Sequence, residues 1–240
     1  MLVLLKRLPA ATNPEILYTI GHRMTPKDHY DVSGLPEAQF EPGSRDLVLK
    51  NLLGIRHKKE MDLREATEQI HATEELFSLF DKTHRFIADD IRRIHKLWLG
   101  RIYPWAGHYR QVNLSKGHFP FPPATQVPRL MAELEKGPLA EFTPCARDSV
   151  DQTTRALAVV HVELVLVHPF RDGNGRAARM VAVLMGSQAG LPPLDFAGIQ
   201  GQRKEAYFAA VRAGLKRDYQ PMEKVFREVI VRTLRMAGKG

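Results

Sequence analysis

Apolar and polar positions follow a helical rhythm over most of this chain. In KEMDLREATEQIHATEELFSLF, Met61, Ala66, Ile70, Leu76 and Phe80 recur at near-helical spacings, which predicts an amphipathic helix. A second helix is expected over FIADDIRRIHKLWLG, ended by Gly100. Further helices are expected over 124–136, over 149–168, over RAARMVAVLMGSQAG, and over 202–215 and 221–236. The period shortens in YRQVNLSKGHFPF. There Val112 and Leu114 alternate with Asn113 and Ser115, and Ser-Lys-Gly offers a turn before Phe119 and Phe121. This predicts a short hairpin whose second arm, holding Pro120, is confined to an edge. The expected fold class is all-α, a helical bundle with one exposed β-hairpin. Residues 1–50 are rich in turn formers, as in HRMTPKDHYDVSGLPEAQFEPGSRD. The expected division is an arm over 1–58 packed on a domain over 59–238.

Composition changes this picture little. The hydrophobic share of 44% supports a packed core. No run of about 18 uncharged apolar residues occurs, so no membrane span is expected. The start, MLVLLKRLPAATNPE, has its Lys-Arg pair behind a brief apolar run, the reverse of a secretory signal. The sole cysteine, Cys145, excludes an internal disulfide and fits a reducing compartment. A cytoplasmic protein of bacterial type is the expectation. The net charge of +8 favours an anionic partner: nucleic acid, an acidic protein or a nucleotide. The basic residues are scattered and form no nucleic-acid motif, so nucleic acid is not expected as the main ligand.

The chemistry concentrates in HPFRDGNGRAAR, residues 168–179. Pro169 disfavours the α conformation before it, so one helix should end at His168. Asn174 is a good N-cap for the next helix. The amides of Gly173, Asn174 and Gly175 would then face an anion at a helix N-terminus, and the glycines permit close approach. Arg176 and Arg179, three apart, share a helical face. Positive charge is unfavourable at a helix start. Two guanidinium groups there suggest several phosphates, and Asp172 at the rim could hold Mg2+ between phosphate oxygens, though Asp-Gly is also a common turn. His168 beside them could deprotonate an incoming hydroxyl. The assembled chemistry is phosphoryl or nucleotidyl transfer.

HPFRDGNGRAAR resembles the Fic-family signature, His-x-Phe-x-Asp/Glu-Gly-Asn-Gly-Arg-x-x-Arg, at every specified position. Upstream, IHKLWLGRIYPWAGHYRQVNLSKG is similar to the family's segment before its hairpin flap, and the similarity spans about 59–236. The resemblance implies a Fic-type helical bundle and a protein adenylyltransferase. ATP binds with Mg2+, a Tyr, Thr or Ser hydroxyl of a target protein attacks the α-phosphate, and pyrophosphate leaves. His168 would be the general base and Asp172 the magnesium ligand. Gly173, Asn174 and Gly175 would hold the α- and β-phosphates, Arg176 the β side, and Arg179 the γ-phosphate. Phe170 would be a core anchor. The flap, Ser115, Lys116, Gly117, His118 and Phe119, would align the target segment by strand pairing. A branch of the family with Lys for the first arginine transfers phosphate instead, and Arg176 argues against it.

Two other readings compete. A non-catalytic nucleotide- or partner-binding module would keep the fold, but His168 and both arginines are intact. A metal-dependent phosphohydrolase would use His161, His168 and Asp172. His161 lies seven residues before His168, not at the i, i+4 spacing of helical zinc sites. A core or supporting role is expected for His161, and core roles for Trp98 and Trp105. Core packing is also favoured for Tyr207, ahead of a place beside the adenine. Lys116 could meet phosphate or keep an edge strand soluble. Many Fic relatives restrain themselves with Ser/Thr-x-x-x-Glu-Gly/Asn, whose glutamate pairs with the second motif arginine. No glutamate here precedes Gly or Asn, and Ser33-Gly-Leu-Pro-Glu37 lacks helical character. Inhibition is therefore expected in trans, from a small partner offering a glutamate to Arg179. The rival is an acidic residue of the 1–50 arm.

Overall fold

In the computed structural model, residues 34–145 and 149–238 are described. The beginning of the expected arm lies outside them. Helix α1 spans Lys58–Leu79 and α2 Ala88–Leu99, with Gly100 as its C-cap. The hairpin follows as β1, Ser115–Lys116, and β2, Phe119–Pro120. Next come α3 (Val127–Leu134), a π turn over Glu135–Leu139 that contains Pro138, and the single turn α4 (Ala140–Phe142). The rest is α5 (Val150–Val167), α6 (Asn174–Gln188), α7 (Gln202–Ala213) and α8 (Gln220–Ala237). Among the described residues, the fold is helical with one small antiparallel hairpin.

Helix α5 is the axis. Ser149 caps it by accepting the Gln152 N–H, and its Ala, Val and Leu positions are buried on nearly every side. Such a helix is stable only inside a layer of others. It packs against α6, α8 and α3, while α1 and α2 pair and close over α6. Each fully buried Leu, Ile or Phe of this core contributes about 1.5–3 kcal/mol. Among the described residues, no helix is long and apolar enough to cross a membrane.

Three local readings differ from expectation. On α1 the inward face is Met61, Glu65, Glu68, Ala72 and Leu76, whereas Ile70 is exposed. Carboxylates occupy positions that polarity assigns to solvent: Glu65 meets the buried Arg176 and Tyr103, and Glu68 is reached from the surface by Arg64 and Arg101. In the hairpin, Ser115 pairs with Pro120 and Lys116 with Phe119, so the turn is Gly117-His118 rather than Ser-Lys-Gly. Gly117 takes the left-handed backbone this two-residue loop needs, at φ 58°. The helix expected over 124–136 begins as a 3-10 turn, Ala124–Gln126, and passes into the π turn where Gly137 and Pro138 interrupt it.

The described part of the arm is integral to the fold. Val48 and Leu49 enter the core, and Leu52 donates its N–H to the Ile102 carbonyl at 2.8 Å. The Glu37 carboxylate accepts the N–H groups of Gln111 and Val112, at 2.5 and 3.0 Å. Leu35 and Ala38 pack on the small cluster of Val112, Leu114 and Phe121 at the hairpin root.

Candidate active site

The site forms where α5 ends and α6 begins. His168 is the C-cap of α5 in the left-handed conformation, φ 53° and ψ 58°, uncommon for a side chain larger than glycine's. Its N–H bonds the Leu164 carbonyl at 3.2 Å, and its own carbonyl accepts Arg110 Nε at 2.7 Å. Nδ1 lies 3.1 Å from the Val165 carbonyl, an acceptor only, so Nδ1 carries the proton and Nε2 is the basic nitrogen. Phe121 stacks on the ring at 3.5 Å between centroids. Phe119 packs edge-on to Phe121 at 5.4 Å, so the hairpin reaches the imidazole through two aromatic rings.

The turn that follows is held from within and from below. Gly173, not Asn174, caps α6, with φ 80°. Asn174 sits inside the first turn, accepting the Phe170 N–H at 2.8 Å and donating to the Phe170 carbonyl at 2.7 Å. A Cβ at Gly173 would lie 2.8 Å from the Trp98 ring, so the close packing as well as the backbone excludes other residues. Below, His95 accepts the Gly107 N–H at Nδ1 (2.9 Å) and donates Nε2–H to the Asp172 carbonyl (3.0 Å). Its ring stacks on Phe170 at 3.8 Å. Burial holds His95 neutral, pushing its pKa down to about 4. Phe170 is wholly buried, as expected of a core anchor.

The arginines are held differently. Arg176 donates to Glu65 of α1 at 2.5 Å, lies 4.5 Å over the Trp98 ring, and approaches Asp172 at 3.9 Å. Burial alone would lower its pKa, but the Glu65 and Asp172 carboxylates outweigh that and raise it. Arg179 is lowered by burial and by Arg176, while a hydrogen bond with the Tyr207 phenol opposes this. The same hydroxyl lies 2.7 Å from His161 Nε2. His161, held neutral at about 3 by burial and then by Arg179, is therefore a supporting residue. Its ring does not join His168 and Asp172. Among the described residues, no three His, Cys, Asp or Glu side chains assemble as metal ligands. The phosphohydrolase reading lacks its site.

Asp172 receives the Gly173 N–H at 2.6 Å, and its side chain is 27% exposed. One partly exposed carboxylate at the glycine turn could hold Mg2+, which takes one or two carboxylates and completes its shell with phosphate and water. On the flap, Gly117 and His118 are exposed at the tip. Lys116 turns inward, its ammonium 3.3 Å from the centre of the Phe208 ring on α7. Burial, and then Lys204 with Arg179 and Arg212, lower its pKa to about 8, against the opposing Glu205. Lys116, Arg179, Lys204 and Arg212 thus share one zone of positive charge. Glu65, Tyr103, His95 and Arg110 were not among the expected site residues.

Residues 80–185 match the model of the Fic/DOC family. A protein adenylyltransferase Fic of Nematostella vectensis is 29% identical over 185 residues, covering 75% of this chain and 39% of the relative. Protein adenylyltransferase VbhT of Bartonella schoenbuchensis is 30% identical over 163 residues, covering 67% and 32%. The N-terminal Fic domain of a VirB-translocated Bep effector of Bartonella quintana, solved with bound ADP, superposes with a TM-score of 0.62 at 27% identity. It covers 75% of this chain and 89% of that one. The chain thus spans about two-fifths or less of the length of these curated relatives.

Proposed function

The chain belongs, through residues 80–185, to the Fic/DOC family, and from that premise we propose that it is a protein adenylyltransferase. AMP passes from ATP to a Tyr, Thr or Ser hydroxyl of a target protein. The observation that carries this reading is the tautomer of His168: Nδ1–H is spent on Val165, leaving Nε2 to take a proton. In the reaction Nε2 removes the target hydroxyl proton, and the oxygen forms a bond to the α-phosphorus. The bond from that phosphorus to the bridging oxygen of the β-phosphate breaks, and pyrophosphate leaves with the electron pair. Gly173, Asn174 and Gly175 hold the α- and β-phosphates, Arg176 the β side, and Arg179 the γ-phosphate. Asp172 would hold Mg2+, which neutralises phosphate charge when bound. The flap, Ser115–Phe119, aligns the target strand above His168, with 59–238 as the catalytic unit.

Restraint in trans fits the same geometry. A small partner's glutamate would meet Arg179, which is held by a phenol rather than a carboxylate. Within the described arm, Glu37 is engaged with Gln111 and Val112, and Glu41 with Asn51. The test is ATP labelled at the α- or γ-phosphate, incubated with a lysate and the isolated chain. Label should pass to protein from the α position only and disappear with His168→Ala, which should still bind ATP. Transfer of the γ label, or an undiminished His168→Ala, would defeat the reading. Removing residues 1–33 should leave activity unchanged; a large rise would place the inhibitor within the chain.

A further inference from the structure

Glu65 lies outside the signature, 111 residues from its closest partner in it. It sits on the inward face of α1 with its side chain only 5% exposed. Each polar oxygen of the residue is engaged by a different group. One carboxylate oxygen accepts Arg176 at 2.5 Å, the other accepts the Tyr103 hydroxyl at 2.6 Å, and the backbone carbonyl accepts the Trp98 indole N–H at 2.9 Å. Tyr103 in turn stacks on Trp105 at 4.5 Å. Burial, and then the Glu65 charge, raise the Tyr103 pKa and keep its hydroxyl a donor.

A carboxylate on a phosphate-binding arginine can be a removable block or a permanent support. A removable block must be able to leave. Glu65 cannot: leaving would strand the buried Tyr103 hydroxyl and the Arg176 guanidinium without their acceptor. Trp98 also fixes the outcome, because its indole holds the Glu65 backbone, its ring face carries Arg176, and its edge abuts Gly173. Arg176, the glycine turn and α1 therefore share one rigid contact.

Resting on the adenylyltransferase reading, we infer that Glu65 is a positioning residue that locks the Arg176 guanidinium in the orientation required for the β-phosphate. It acts through Arg176 and touches no substrate. A misoriented guanidinium stays beside the bound phosphates but is no longer aligned with the charge that develops on the departing pyrophosphate, so misorientation should cost rate more than affinity.

The experiment begins with calorimetric ATP binding by the wild-type chain in Mg2+, which tests the underlying reading by itself. Failure to bind would overturn that reading. In Glu65→Gln the amide oxygen can accept from only one of the two former donors. Label transfer from α-labelled ATP should fall about 10- to 100-fold in kcat, as for a misplaced catalytic contact. The KM for ATP should change less than about threefold, since the guanidinium remains in place. Tyr103→Phe, which removes one support and keeps the charge pair, should fall about threefold to tenfold in the same direction. In an Arg176→Ala background, Glu65→Gln should cost no further activity. Additive losses in the double variant, or kcat retained in both single variants while ATP still binds, would overturn the inference alone.

Discussion

Arg176 and Arg179 leave the same helix one turn apart, yet they are held by opposite chemistry. Arg176 rests between a carboxylate and an indole face, its charge matched. Arg179 bonds a phenol backed by a buried, neutral imidazole, and neighbouring positive charge disfavours it. The signature presents them as equivalents; the structure divides their work. On the proposed function the matched one would be a fixed part of the cradle, and the unmatched one would be where an incoming anion gains most. A γ-phosphate and an inhibitory glutamate would compete for it on the same terms.

The most direct way to break this contrast is to remove each side chain. Arg176→Ala leaves the Glu65 charge buried with the Tyr103 hydroxyl but without its cation, which should cost about 3–5 kcal/mol of stability. It should also lower transfer by on the order of a thousandfold. Arg179→Ala should cost less than about 1 kcal/mol in stability while lowering transfer by about a hundredfold. Urea unfolding beside label transfer checks both, and equal stability losses would dissolve the distinction.

Sequence made one of these two environments far more visible than the other. His168, Asp172, Gly173, Arg176 and Arg179 are legible because their chemistry is continuous along twelve residues, 168–179. Supports contributed by distant segments were not. Glu65 and Glu68 occupy the inward face of α1, so a reading by polarity turned that helix toward Ile70. Tyr103 lay within a segment that pointed to the family but carried no sign of its hydrogen bond. The hairpin was found by its alternation. Its turn was misplaced by two residues because Ser-Lys-Gly and Gly-His are both plausible corners, and only pairing across the strands selects one. Asn174 has the composition of a cap, yet the left-handed cap position goes to Gly173 because a Cβ there would strike Trp98.

A histidine stands behind each arginine, and acid should undermine both. His95 supports the Asp172 carbonyl on the Arg176 side, and His161 supports Tyr207 on the Arg179 side. Burial lowers their pKa values to about 4 and about 3 in the folded protein. Above roughly pH 6.5 neither state carries these protons, and the stabilisation is fully present. As pH falls below that value the unfolded chain takes up protons that the folded one refuses. Stability therefore declines until the folded pKa is reached, by on the order of 3 kcal/mol for His95. Thermal unfolding from pH 7 to 4.5 checks the trend. His95→Gln should lower Tm at pH 7 and flatten the slope between pH 6.5 and 5; an unchanged slope would count against His95 as its source.

The smallest effect sharpens the contrast from the Arg179 side. Tyr207→Phe removes one neutral hydrogen-bond partner and should cost about 1 kcal/mol. ATP binding should weaken about fivefold, with kcat little changed. Binding as tight as in the wild type would show that Arg179 needs no phenolic support.

Arg110 gives the hairpin a further property. Its buried guanidinium reaches three carbonyls: Val112 at 2.8 Å, Pro122 at 2.5 Å and His168 at 2.7 Å. In mechanical terms the hairpin is a cantilever whose two feet share one bolt with His168. A load applied near Gly117 by a bound strand bends the beam about that bolt, so travel is large at the tip and small at the imidazole. If the hairpin aligns a target strand as proposed, a poor match would be absorbed as deflection of the hairpin before it could move His168.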